Sequence, residues 1–112
     1  MCKLADFEKA VSLSLRETVS QVEKAMESGG TPARLVDKNE FTVKRVRVAV
    51  RVYEHAPSSG LKRAQMTVTV ASDGKGTQVS AQTASSSRPF FFKKRQTAEE
   101  QALLEALQKA LP

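Results

Sequence analysis

The chain has 112 residues, 40% hydrophobic and 27% charged, with a formal net charge of +6. That is the length of one domain with enough apolar residues for a core, which excludes a disordered chain. Its single cysteine, Cys2, excludes an internal disulfide framework and a cysteine-built metal cage, and no apolar run reaches the ~20 residues of a membrane helix.

The chain is charged by Lys3, so no secretory apolar stretch is expected and a cytoplasmic domain spanning 1–112 is the expectation. Val11, Leu13 and Leu15 alternate with Ser12 and Ser14, which suggests a short strand near 8–13. Ser14-Leu15-Arg16-Glu17 then has the S-x-x-E form of a capping box, with Ser14 as N-cap and Glu17 reaching back. A helix from Leu15 to Ser28 follows, with Leu15, Val19, Val22 and Met26 on one stripe and Gly29-Gly30 after its end. One long helix from Leu4 is the rival reading, because Leu4, Phe7, Val11, Leu15, Val22 and Met26 also keep helical spacing. The capping box favours strand-then-helix; periodicity alone leaves both open.

Thr31-Pro32 restarts the chain in extended form, and Ala33 to Val36 reads as a short strand. Asp37-Lys38-Asn39-Glu40 reads as a turn. The strongest strand pattern follows, from Phe41 to Tyr53. Val46, Val48, Val50 and Val52 alternate there with Arg45, Arg47, Ala49, Arg51 and Tyr53. Opposite-facing neighbours make this one strand, with the valines expected inward and the arginines on a wet, basic face. Pro57-Ser58-Ser59-Gly60 opens a loop that runs to Arg63.

Gln65 to Ala71 is the next strand, with Met66, Val68 and Val70 inward and Gln65, Thr67 and Thr69 outward. Asp73-Gly74 marks a hairpin connection. Thr77 to Thr83 returns, with Val79 and Ala81 inward and Gln78, Ser80 and Gln82 outward. Ser85 to Pro89 reads as a loop and Phe90-Phe91-Phe92 as a short final strand. Thr97-Ala98-Glu99-Glu100 is a second capping box, opening a helix with Leu103, Leu104, Leu107 and Leu111 on one side.

The order is β-α-β-β-β-β-(β)-α. Hairpins imply an antiparallel sheet of four to five strands, and two amphipathic helices need one sheet face to cover. The expected fold is a two-layer α+β domain with the second sheet face open to water.

VRVAVRVYEHAP, then RAQMTVTV, then VSAQTASSSRPFFFK and a short capped helix resemble a family of small bacterial α+β domains of unknown function, over about residues 8–111. The resemblance supports the fold and implies no activity. Where that family tends toward a glycine loop, this chain has Ser85-Ser86-Ser87-Arg88-Pro89.

Signals for catalysis are weak. His55 is the only histidine, at a strand end with no nucleophile or acid indicated beside it. Cys2 lies at the terminus, a poor place for an activated thiol. Ser85, Ser86 and Ser87 lack a nucleophile-elbow pattern, and a solvated loop accounts for them. Gly74-Lys75-Gly76 is too short to cradle a phosphate. No catalytic residue, cofactor or metal site is expected.

Charge is the stronger signal. Residues 41–95 carry eleven Lys/Arg against only Glu54 and Asp73. The expected open face displays Arg45, Arg47, Arg51 and Tyr53, flanked by Lys62, Arg63, Lys93, Lys94 and Arg95. Phe91 would be exposed there if Phe90 and Phe92 are buried. Arginine beside aromatics is interface chemistry, so the first expectation is a non-enzymatic module that forms a homodimer or binds a protein partner through its open sheet face. The alternative is nucleic-acid or other polyanion binding through the same basic residues.

Overall fold

The computed structural model describes residues 7–28, 33–55, 64–85 and 98–111. Its elements are β1 (Phe7–Val11), α1 (Leu15–Ser28), β2 (Arg34–Val43), β3 (Val46–His55), β4 (Ala64–Ser72), β5 (Thr77–Ser85) and α2 (Ala98–Ala110). The five strands form one antiparallel sheet in the order β1-β5-β4-β3-β2. The expected α+β class and order hold, and strand-then-helix is the correct reading of the N-terminal segment. Gly29-Gly30, the 57–63 loop, Ser86 to Pro89, Phe90 to Phe92 and the Thr97 cap lie outside the described residues.

The capping box forms as its sequence requires. The Glu17 amide donates to Ser14 Oγ and the Ser14 amide to Glu17 Oε1, each at 3.1 Å. Two amides at the helix start are thereby satisfied, which fixes where β1 stops and α1 begins. Helix α1 then carries the chain across the sheet, from the β1 edge to the opposite edge at β2. From there β2 to β5 run as a meander back to β1.

Helix α1 packs over β3 and β4, and α2 over β4 and β5, with the two helices in contact. The core lies in this layer. Val19, Val22 and Met26 of α1, Leu103, Leu104 and Leu107 of α2, and Leu111 just beyond it, meet Met66, Val68 and Val70 of β4 and Val79 and Ala81 of β5. Each of these stripes is the one its spacing predicts.

Two expectations are overturned. First, Asp37-Lys38-Asn39-Glu40 is no turn. It runs inside β2, which continues from Arg34 to Val43, and the chain reverses at Lys44-Arg45. Phe41 to Tyr53 is therefore two strands. The signal was hidden because the turn has no glycine: Lys44 itself takes the positive φ, at 56° that a tight hairpin turn requires.

Second, β3 faces the other way. Residues directly opposite in an antiparallel pair point to the same side. Tyr53, Arg51 and Ala49 lie opposite Met66, Val68 and Val70, the helix-facing residues of β4. They are accordingly buried, Tyr53 at 1% and Arg51 at 5% exposure. Val48, Val50 and Val52 are only half-buried and Val46 is exposed. The apolar faces of β4 and β5 determine which side the helices cover, and register carries β3 with them.

The β4–β5 connection is the predicted one. Asp73 Oδ1 accepts the amides of Lys75 and Gly76 at 2.8 and 2.9 Å, and Gly74 takes a φ of 91° that suits glycine. These amides also hold the Asp73 carboxyl below its ordinary pKa, that of Gly76 most strongly.

Candidate interaction surfaces

The inverted β3 gives the open face an apolar side. Val43 lies opposite Val46, and Phe41 opposite Val48. Across the next pairing Val48, Val50 and Val52 meet Ala71, Thr69 and Thr67. Gln78, Ser80 and Gln82 follow on β5. The face thus grades from aliphatic at β2 and β3 to polar at β5. Phe41 is 46% exposed and Val43 57%, and Leu35, Val36 and Val46 are also large exposed apolar residues.

The apolar side abuts a free edge. All ten residues of β2 are exposed, and among the described residues its one sheet neighbour is β3. A two-residue hairpin closes on a hydrogen-bonded pair, here Val43 with Val46. Alternating from that pair, the amides and carbonyls of Thr42, Glu40 and Lys38 point away from β3. The Lys38 amide accordingly donates to the Asp37 carboxylate at 2.9 Å. A bulge between Leu35 and Asp37 ends the regular register.

On the helix side, Arg51 is clamped between two carboxylates. Its Nε donates to Glu23 of α1 at 2.9 Å and its Nη2 to Glu40 of β2 at 2.6 Å, while Nη1 reaches the Val50 carbonyl at 3.1 Å. Burial alone would lower the pKa of this guanidinium. The hydrogen bonds to Glu40 and Glu23 outweigh it, and the pKa is raised. Glu40 is held below the ordinary glutamate range, first by its hydrogen bond to Arg51 and then by the charge of Arg51. Beside this cluster the Tyr53 hydroxyl is buried with no hydrogen-bond partner among the described residues. Burial, chiefly, pushes its pKa up to about 12.

A cavity of about 530 Å³ opens at the end of the sheet, lined by the start of α1 and by the β2–β3 and β4–β5 turns. Arg16, Arg45, Arg47 and Lys75 line it together with Glu17 and Asp73.

Against known families, the model of DUF6054, a family of unknown function, matches residues 4–112. The chain belongs to that family. No curated protein and no solved structure matches it. Membership of DUF6054 agrees with the resemblance drawn from the strand motifs and carries no activity with it.

Of the described candidates of this DUF6054 chain, Arg51 and Tyr53 are not on the open sheet face where they were expected. Arg51 and Tyr53 lie beneath the helices and are structural. Arg45 sits in the β2–β3 turn, and Arg47 lies on the helix side, opposite Thr42, at the cavity. Lys62, Arg63, Phe91, Lys93, Lys94 and Arg95 lie outside the described residues. His55 is half-buried at the end of β3, as a strand-end histidine would be. Among the described residues no three His, Cys, Asp or Glu side chains cluster as metal ligands would. No helix of these residues is long and apolar enough to cross a membrane.

Sequence reasoning missed the aliphatic open face and the free β2 edge. The signal for the first was present in β4, whose unambiguous inward set fixes β3 through register. The second needs the hairpin at Lys44-Arg45, which composition conceals.

Proposed function

We propose that this domain acts by self-association, with β2 of one copy pairing antiparallel to β2 of a second copy. The observation that carries this reading is the ten-residue edge strand, exposed throughout and continuous with the Phe41, Val43 and Val46 patch. Unpaired amides and carbonyls along an exposed edge are a template for another strand. Isologous pairing about a two-fold is the commonest way for identical chains to use one.

Charge selects the register. Paired strands that keep the helices of both copies on one side must place residues of the same face opposite each other. With Asn39 on the two-fold, Lys38 of each copy lies opposite Glu40 of the other. A slip of one residue about Glu40 sets Glu40 against Glu40, and about Lys38 sets Lys38 against Lys38. Opposite charges directly across a strand pair stabilise by roughly 0.2–1 kcal/mol, and like charges cost a similar amount. The same charges discourage indiscriminate edge pairing, so the edge is selective rather than sticky.

Sedimentation equilibrium tests this. The wild-type chain is expected to dimerise. Thr42→Pro, which removes one outward amide and leaves the β3 ladder intact, should yield a folded monomer. Lys38→Glu, which opposes two glutamates twice, should weaken the dimer. A wild-type monomer at every accessible concentration, or a dimer indifferent to both changes, contradicts the proposal.

A further inference from the structure

The cavity beside the start of α1 is independent of the β2 edge pairing, and its charge is unbalanced. Four cationic side chains line it, Arg16, Arg45, Arg47 and Lys75, and only two carboxylates, Glu17 and Asp73. Both acids are committed to backbone amides: Glu17 accepts from Ser14, and Asp73 from Lys75 and Gly76. No described carboxylate hydrogen-bonds or ion-pairs with any of the four cations. Arg47 feels the Glu40 carboxylate only through space. Three segments far apart in sequence thus bring four cations around one concave volume.

Concentrating like charges costs free energy, and an anion seated among them removes that cost. The volume, about 530 Å³, is that of a small-molecule site rather than of a groove that tracks a polymer. Three guanidinium groups offer planar forks that match phosphate oxygens bidentately, with Lys75 as a point charge. Ser12, Ser72 and Thr77 add hydroxyls to the lining as further donors. At the helix start the Glu17 amide is already taken by Ser14 Oγ, and the Ser14 amide by Glu17 Oε1.

We infer that this cavity binds a small phosphorylated ligand, with Arg16, Arg45, Arg47 and Lys75 holding its phosphate or pyrophosphate group. The Asp73-Gly74 turn forms one wall, so the hairpin that closes the β4–β5 meander also shapes the site. The two arginines of the expected basic face that remain exposed, Arg45 and Arg47, find their role here, at the end of the sheet and on its helix side.

Titration with inorganic pyrophosphate at near-physiological salt, followed by amide NMR, tests the inference on the intact chain. Saturable shifts are expected at residues 12–17, 45–47 and 72–77. Arg45→Gln with Arg47→Gln should weaken binding by about tenfold or more, the loss of charge-assisted hydrogen bonds. Arg16→Gln with Lys75→Gln, which leaves the β2–β3 hairpin untouched, should weaken it as well. Lys109→Gln on α2, a charge lost away from the cavity, should leave it unchanged. Shifts scattered over the surface, or equal weakening by Lys109→Gln, would overturn the inference. So would saturable binding of single-stranded RNA through these residues with none of pyrophosphate, which would make the site a polymer contact.

Discussion

Tyr53 fills the space beneath α1 with a ring whose hydroxyl is buried and unpaired among the described residues. An unsatisfied buried hydroxyl costs more than it returns. Tyr53→Phe should therefore stabilise the fold by about 1 kcal/mol in chemical denaturation. It should also change the alkaline behaviour. The folded pKa is raised to about 12 from an ordinary 10, so the neutral ring stabilises the fold fully below pH 10. That stability is lost as pH rises from there toward about 12, because only the unfolded chain ionises. The phenylalanine variant should lack this loss, as a melting series above pH 10 would reveal. Lys44 holds a φ of 56° without being glycine, and Lys44→Gly should add roughly 0.5–1 kcal/mol by relieving it. Arg51 tests the reverse: Glu23→Gln with Glu40→Gln leaves a buried guanidinium without a counter-charge and should cost about 3 kcal/mol. For Glu40 the folded pKa is lowered from 4.5, so its contribution is present above the ordinary glutamate range. It fades as pH falls through the lowered value, and Glu40→Gln should flatten the acid limb of the melting curve.

At the scale of elements, helices were legible and strand faces only partly so. The α1 start could be read to the residue, because Ser14 and Glu17 satisfy each other locally and need nothing from the rest of the chain. The stripes of α1, β4 and β5 were legible for the same reason: each has one apolar side. β3 has two usable sides. Its valines look like a core face in isolation, yet Ala49, Arg51 and Tyr53 are the ones buried. Arg51 is tolerable there only because Glu23, far away in sequence, and Glu40, on the next strand, neutralise it. No local pattern announces a partner that distant. The β2 boundary failed for a different reason, since Asp37-Lys38-Asn39-Glu40 has turn composition but edge-strand conformation. An edge strand with water on both faces needs no apolar alternation, and charged residues there are how edges are kept from indiscriminate pairing.

At the scale of the molecule these two surprises make one account. The helices cover β3 to β5, so the sheet's aliphatic valines and its longest free edge fall together on the uncovered side. A domain that only needed stability could have placed those valines under the helices and arginines outside. Here the arrangement leaves an apolar, directional edge with charges that favour one self-pairing register. The self-association proposed for this domain uses Lys38, Glu40, Phe41, Thr42 and Val43, because Arg51 and Tyr53, expected on the open face, are buried. Arg45 and Arg47, the described arginines of the expected basic face that remain exposed, line the cavity with Arg16 and Lys75. No residue of β2 lines the cavity, so edge and cavity can be disabled one at a time.

Amide hydrogen exchange read residue by residue, from micromolar to millimolar protein, distinguishes a β2 edge paired between copies from a solvated one. If β2 pairs with β2, the outward amides of Glu40 and Thr42 gain protection as concentration rises, while amides elsewhere on the surface do not. If those two amides exchange freely at every concentration, the edge is solvated and the self-association account is wrong.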